Sequence, residues 1–347
     1  AVFGTGVNRP LKKLAESFID SARDYTIDKY PALLVSIDLP SGVNADLANP
    51  IGFNLDSDLT ITFTSPKIAN VIPPICHDNG ELYIENIGSP KDLINNAKSK
   101  LYVSERQDAI DWLWSTKVQS NSYKKSRGTA LIIGGSENYS GAAVLASNGC
   151  FAAGAGMVTA VVPKSVKEIV AAKTSDEIIV KTLEKTEVLA EEVDVMAIGC
   201  GLANDKITHK FIRQTIENQT TPMVLDAEAL NALSPFDLQG SDEFPLILTP
   251  HVGEMSRLVG REVLGDKIAL VREFAEKHNV ILILKGERSL IAKPDGTVVI
   301  NPTGNANDPL GRTTLLGGAI TTSVAGLFSN YVGFEVLNKY FNANSRS

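Results

Sequence analysis

Along this chain, apolar runs of strand length alternate with stretches whose apolar side chains return every third or fourth position, and Gly, Pro, Asn and Asp cluster between them. The runs occupy residues 32–39, 59–63, 129–133, 157–162, 193–198, 222–225 and 280–284. A continuous apolar run of that length suits a parallel strand covered on both faces. Helical spacing predicts helices over 11–22, with Leu11, Leu14, Phe18 and Ile19 as the apolar positions, from Ala142 to about 155, over 165–172 and over 206–218. One stretch breaks the alternation. Residues 289–292 and 297–300 flank Lys293-Pro294-Asp295-Gly296, where Pro pre-sets one backbone angle and Gly tolerates the positive one, which predicts a hairpin. The whole pattern predicts an α/β protein with a doubly wound, mostly parallel sheet. A polar, Lys- and Asn-rich stretch over 90–104 marks a junction between a first domain, 1–98, and a second, 105–347. The opening AVFGTG reads as the end of a strand running into a glycine turn, so the chain is expected to begin inside a domain.

Ligands of open α/β sheets bind beyond the carboxyl ends of the strands. The residues just after each predicted strand are therefore the candidates: Gly4-Thr5-Gly6, Asp38-Leu39-Pro40-Ser41, Gly134-Gly135, Gly199-Cys200-Gly201, Asp226-Ala227-Glu228, His251-Val252-Gly253-Glu254 and Lys285-Gly286. Each has a bland alternative. Asp38 equally suits a turn cap with Ser41 closing the turn, and paired glycines after a strand are more often a plain turn than a ligand cradle. His251 alone would be read as a helix cap or a core imidazole; its place at a strand exit, followed by Gly and Glu, shifts the expectation to a ligand contact. Glu254, three residues into the next helix, suits the positive end of the helix dipole. Finally Asn301-Pro302-Thr303-Gly304-Asn305 opens a Gly- and Thr-rich segment leading into a last helix, whose free N–H groups suit phosphate.

Composition acts mainly by exclusion. With 33 Lys and Arg against 40 Asp and Glu, the formal charge of −7 argues against a nucleic-acid partner. Three cysteines, Cys76, Cys150 and Cys200, are odd in number and far apart, which fits buried thiols in a reducing compartment. No apolar run approaches the roughly 20 residues that span a bilayer, so no membrane partner and a cytoplasmic location are expected. At 347 residues, with 44% hydrophobic and 21% charged, the chain is long enough for two globular domains.

Two sets of motifs carry family resemblances. FGTGVNRP, VSIDLPSGVNAD and LTITFTSPK resemble the second half of NAD(P)H-hydrate epimerase domains. That resemblance implies a partial Rossmann-like α/β domain in which Gly4, Thr5, Gly6, Val7, Asn8, Arg9, Pro10 and Asp38 bind the hydrated nicotinamide nucleotide and Ser41 helps hold K⁺. TALIIGGSENYSGAAVLAS, AIGCGL, VLDAEALN, LTPHVGEM and ILKGERSLIAKPDGTVVINPTGN, in this order, resemble ADP- or ATP-dependent NAD(P)H-hydrate dehydratase domains of ribokinase-like fold over about 105–326. Taken together, the chain resembles bifunctional NAD(P)H-hydrate repair enzymes. These remove water from hydrated NADH or NADPH, using nucleotide hydrolysis to turn the ring hydroxyl into a phosphate leaving group. The resemblance implies a ring pocket lined by Ala142 or Ala143, Gly201 and His251. It also implies that ADP or ATP is held by Lys285, Gly286, Glu287, Arg288 and Ser289, with Gly311 in the loop before the last helix. Mg²⁺ would come with the nucleotide, held by phosphate and water. NAD(P)H hydrate is the expected small-molecule partner, and a homo-oligomer is expected, although no residue pattern specifies it.

The pattern departs from the family in one chemically important place. The family's last helix begins with a GGxGD type of sequence whose Asp is the base on the substrate hydroxyl, whereas this chain reads Asp308-Pro309-Leu310-Gly311-Arg312-Thr313-Thr314-Leu315. The Asp position falls at Thr314 or Leu315, so no catalytic residue is assigned. Two other readings stay open: a small-molecule kinase of the same fold, acting on a vitamin alcohol, and a nucleotide-binding scaffold without turnover.

Overall fold

The computed structural model describes residues 4–28, 32–115, 117, 120–183, 193–218 and 220–302. The chain divides into two compact units, Ala1–Ser99 and Lys100–Ser347.

In the first unit, helix α1 (Lys13–Asp28) precedes β1 (Val35–Ile37), β2 (Leu59–Phe63), α2 (Ile68–Val71), β3 (Glu81–Glu85) and α3 (Lys91–Asn95). The strands form a parallel sheet in the order β1-β2-β3. The run at 32–39 predicts a longer strand than forms, because Asp38 turns the chain at a φ of 70° and ends it. On α1, two of the positions expected to face a core do not: Leu14 is 86% and Phe18 59% exposed, and Ile19 alone of the four is buried. Beneath the sheet, Leu39, Val43, Ala45, Ala69 and Ile75 pack together. The buried polar groups beside them are paired, as buried polar groups must be to avoid a desolvation cost. Thr60 donates to Asn79 O at 2.8 Å, and Asn70 and Asn79 join at 2.9 Å.

The second unit runs β4 (Leu101–Val103), α4 (Arg106–Ser115), β5 (Thr129–Ile133), α5 (Ser140–Ala152), β6 (Met157–Val162), α6 (Lys167–Ala171), β7 (Ile179–Thr182) and β8 (Val195–Ile198). It continues through α7 (Lys206–Glu217), β9 (Met223–Leu225), α8 (Glu228–Ala232), β10 (Leu246–Leu248), α9 (Val252–Val259), α10 (Lys267–His278), β11 (Ile281–Leu284), β12 (Ser289–Ala292) and β13 (Val298–Asn301). Its ten-stranded sheet has the order β4-β13-β12-β11-β10-β9-β8-β5-β6-β7. From β11 to β7 every pairing is parallel, and the β12–β13 hairpin adds antiparallel pairings. Residues 101–103, read from sequence as part of a polar junction, form a strand parallel to β13, with Leu101 opposite Val298. The three-residue run Leu101-Tyr102-Val103 is too short for periodicity to reveal. Strands β8, β9 and β10 are buried along their whole length. Each fully buried Val, Leu or Ile contributes roughly 1.5–3 kcal/mol of hydrophobic stabilisation, which explains why these runs are continuous rather than alternating.

Candidate active site

Strand order reverses between β5 and β8. From β5 the chain moves outward through β6 and β7, and from β8 outward the other way through β9, β10 and β11. Such a switch point leaves a crevice at the carboxyl ends of its two strands. Here the two exits interlock. Gly135 N–H donates to Cys200 O at 2.8 Å, and a Cβ on Gly201, whose φ is 71°, would lie 2.6 Å from the Ala142 Cβ and 2.8 Å from Tyr139 O. Only glycine allows that approach. The bare side of Gly201 therefore faces the start of α5 and not an open pocket. Of the two alanines expected as alternatives, Ala142 is half-buried at this contact. Ala143 is fully buried against Val162, Val166 and Val170 and presents no surface to a ligand.

Two strands further along, His251 is the N-cap of α9. Its Nδ1 accepts N–H groups from Gly253 at 3.0 Å and Glu254 at 3.2 Å. Glu254 Oε2 accepts the His251 N–H at 2.8 Å in return, closing a capping box. The capping alternative weighed for His251 is thus what forms. It leaves the other ring nitrogen with the proton: an imidazole that accepts at Nδ1 carries its hydrogen on Nε2. With the side chain 53% exposed, that N–H lies at the rim of the sheet, 3.6 Å from Glu254 Oε1.

Lys285, at the exit of β11, ties these exits together. Its backbone N–H donates to Pro250 O at 2.8 Å, and residues 251 and 285 form a parallel bridge. Its Nζ lies 2.6 Å from Asp226 Oδ1 and 3.8 Å from Glu254 Oε2, with both carboxylates 7% exposed. Asp226 Oδ2 lies 3.7 Å from Cys200 Sγ. Removing one partner of a buried ion pair typically costs about 3–5 kcal/mol, because the remaining charge stays buried and uncompensated. The ammonium expected to reach phosphate is therefore turned inward to carboxylates. Beyond it, Gly286 is exposed and a Cβ there would touch nothing, Ser289 donates to Gly286 O at 3.4 Å, and Arg288 binds Pro302 O. Glu287 lies half-buried in the same turn. Asp308, Gly311, Arg312, Thr314 and Leu315 lie outside the described residues.

Sequence reasoning did not connect Lys285 with Asp226 and Glu254, nor Glu228 with its partners His209 and Asn231. The apolar core between these exits is also less reactive than its sulfur content suggests. Burial pushes the Cys150 thiol up to about 12 and, with the nearby Asp226 charge, the Cys200 thiol higher still.

In the first unit, Asp38 receives hydrogen bonds from Lys67 Nζ and, at 3.0 Å, from Thr62 Oγ1. Burial raises its carboxyl, but the bonds from Lys67 and Thr62 together with the Lys67 charge outweigh it, so the group titrates below its ordinary value. Lys67 is a partner that sequence reasoning left unassigned; it follows the exit of β2 as Asp38 follows that of β1. Gly4, Thr5, Gly6, Asn8, Arg9 and Pro10 are exposed, and Val7 O accepts from Asn44 Nδ2 at 2.7 Å, which ties this segment to the loop after Asp38. Ser41 is buried in that loop.

The fold is ribokinase-like. A ribokinase-like protein from Enterococcus faecalis superposes with a TM-score of 0.58 at 22% identity, covering 71% of this chain and 88% of that one. The family model for NAD(P)H-hydrate dehydratase matches residues 130–328, and the chain belongs to that family. The model for the YjeF-related protein N-terminus matches residues 1–69. Bifunctional NAD(P)H-hydrate repair enzymes from Moorella thermoacetica and Thermofilum pendens are 35% and 30% identical over 94% and 96% of this chain. The chain spans 63% and 64% of their lengths. The ADP/ATP-dependent NAD(P)H-hydrate dehydratase of Bacillus subtilis, co-crystallised with ATP and Mg²⁺ and soaked with CoA, is 25% identical with a TM-score of 0.53. The match covers 67% of this chain and 86% of that one.

Proposed function

We propose that the second unit dehydrates NAD(P)H hydrate in a reaction driven by ADP or ATP, and that the first unit is the part of an epimerase domain that handles the same substrate. The observation that carries this reading is the fixed Nε2–H donor of His251 at the rim that also holds Ala142 and the turn after β11. A flat ring entering this rim would meet Ala142 on the switch-point side and a donor on the other. His251 would orient a substrate acceptor without taking its proton. The Gly286–Ser289 turn, with an exposed glycine and the Arg288 guanidinium beside it, supplies the surface along which the nucleotide phosphates would lie. The nucleotide would supply phosphoryl transfer to the ring hydroxyl. Mg²⁺ would come with the nucleotide, held by phosphate and water.

In the first unit, Gly4–Pro10 and Asp38 would contact the hydrate and Ser41 would help hold K⁺. Support comes from the Asn44 bond to Val7 O, which sets the two motifs side by side. The test is spectroscopic: hydrated NADH incubated with the protein and either ADP or ATP should regain its absorbance at about 340 nm, the reduced nicotinamide band, as the leaving-group chemistry of phosphoryl transfer requires. A phosphorylated vitamin alcohol accumulating instead, with no regain, would replace this reading by the kinase one.

A further inference from the structure

The geometry points to Lys285 as a positioning residue for His251, acting through Glu254 and Asp226, and not as a ligand of the nucleotide phosphates. The inference rests on the reading of the β8–β11 rim as the substrate pocket. Lys285 reaches its neighbours through both its backbone and its side chain. Its N–H holds Pro250 O, so the residue before His251 is fixed to β11. Its Nζ lies against Asp226 and within 3.8 Å of Glu254 Oε2, the atom that accepts the His251 N–H. The ammonium therefore sets where the Glu254 carboxylate rests. That carboxylate sets the His251 backbone, and the ring follows through the two N–H groups that hold Nδ1. On the other side, Asp226 reaches Cys200, next to the Gly201 contact with Ala142, so one cation spans both walls of the crevice.

A phosphate ligand must present its charge outward. To reach a phosphate on the exposed Gly286 turn, Nζ would have to leave Asp226 and uncover two carboxylates that are each 7% exposed. Burying unpaired charge is among the costlier rearrangements available to a folded protein. A compact, heavily buried ammonium already paired to a carboxylate is better placed to hold protein groups than to exchange them for a mobile ligand.

The experiment uses the whole chain labelled with ¹⁵N-histidine, which contains only four histidines, so His251 is assigned from a His251→Asn sample. Long-range ¹H–¹⁵N spectra should show one fixed tautomer for His251, with hydrogen on Nε2. Lys285→Met should abolish that signature and weaken NADPH binding about tenfold, as His251→Ala should, while ADP affinity measured by calorimetry changes less than about twofold. Lys285→Arg, which keeps the charge, should restore most of the tautomer signal. Should Lys285→Met fail to fold, the double variant Lys285→Met with Asp226→Asn removes the charge imbalance and is read in the same way. An unchanged His251 signature in Lys285→Met overturns the inference, as does a tenfold loss of ADP affinity with NADPH binding spared. If the wild-type chain binds neither ADP nor NADPH, the functional reading falls, and the His251 spectrum still decides the positioning role.

Discussion

His251 and Glu254 hold each other at both ends: the ring of one takes the N–H of the other, and the carboxylate of the second takes the N–H of the first. A side chain used in this way has one nitrogen spent on the fold, while the other is exposed at the rim, 3.6 Å from Glu254 Oε1. The two uses are separable by substitution. Asn is among the best N-cap residues, whereas Ala loses the cap at a cost of about 1 kcal/mol. His251→Ala is expected to lose both stability and NADPH affinity, and His251→Asn to keep the stability and lose only the affinity. Urea unfolding alongside NADPH fluorescence titration checks this. Wild-type affinity in His251→Asn would remove the ring from the pocket.

Gly201→Ala should destabilise the second unit by about 1–3 kcal/mol through overpacking against Ala142 and Tyr139, plus a share for the positive φ. Ala142→Gly in the same molecule should recover only the part due to the Ala142 Cβ and leave the clash with Tyr139 O and the backbone part, the latter about 1–2 kcal/mol. Thermal unfolding of the four proteins in the cycle separates the two. Additive effects would mean that the interlock between the exits of β5 and β8 carries no strain.

The Asp38 carboxyl lies below its ordinary value, near about 3.9 for an unperturbed aspartate. A depressed carboxyl contributes stability that is fully present above the unfolded value and is lost as pH falls through the folded one. The first unit should therefore weaken below about pH 4, and more steeply in the wild type than in Asp38→Asn or Lys67→Met. Parallel acid limbs in urea unfolding would show that the Asp38–Lys67 pair contributes nothing.

Residues 314 and 315 lie beyond the described part of the chain, and neither Thr nor Leu can act as a base at neutral pH. A positioned general base contributes about 10² to 10⁴ in rate, so the unmodified protein should turn over hydrated NADH slowly. Successive residues at a helix start point about 100° apart. One of Thr314→Asp and Leu315→Asp should therefore gain turnover at unchanged nucleotide affinity, and the other should gain none. Fast turnover in the unmodified chain would move the role to another group, with Asp308 the nearest in sequence.

All three thiols are buried, and burial raises the two in the second unit. Because the thiolate is the reactive form, a disulfide reagent at neutral pH should modify them only after denaturation. Rapid modification of the native protein would contradict the burial.

The mostly apolar strands were legible residue by residue: 129–133 and 157–162 are the observed bounds of β5 and β6. Continuous burial leaves no other reading for such runs. Strands β3 and β7 escaped because polar residues interrupt them: the exposed Glu81 and Glu85 in β3 and the half-buried Lys181 in β7. The rim itself was legible as a row of strand exits, since topology alone places them. Pairing along the rim was not. Lys285 and Asp226 are 59 positions apart, and no local pattern shows that an ammonium next to a glycine turn bends back to a carboxylate. Ala143 shows the same limit at short range, because two adjacent alanines look alike until the helix phase decides which one meets the core.

Strand β4 opens the second unit, yet it pairs with β13, and nearby Lys100 binds the carbonyl of Asp295 across a separation of 195 residues. During synthesis, that edge of the sheet waits unpaired until the β12–β13 hairpin has left the ribosome. Contacts so distant in sequence are slow to form. A message cut short before the hairpin would therefore release a product with an open flank rather than a smaller finished unit, and quality control would meet it as a substrate for degradation.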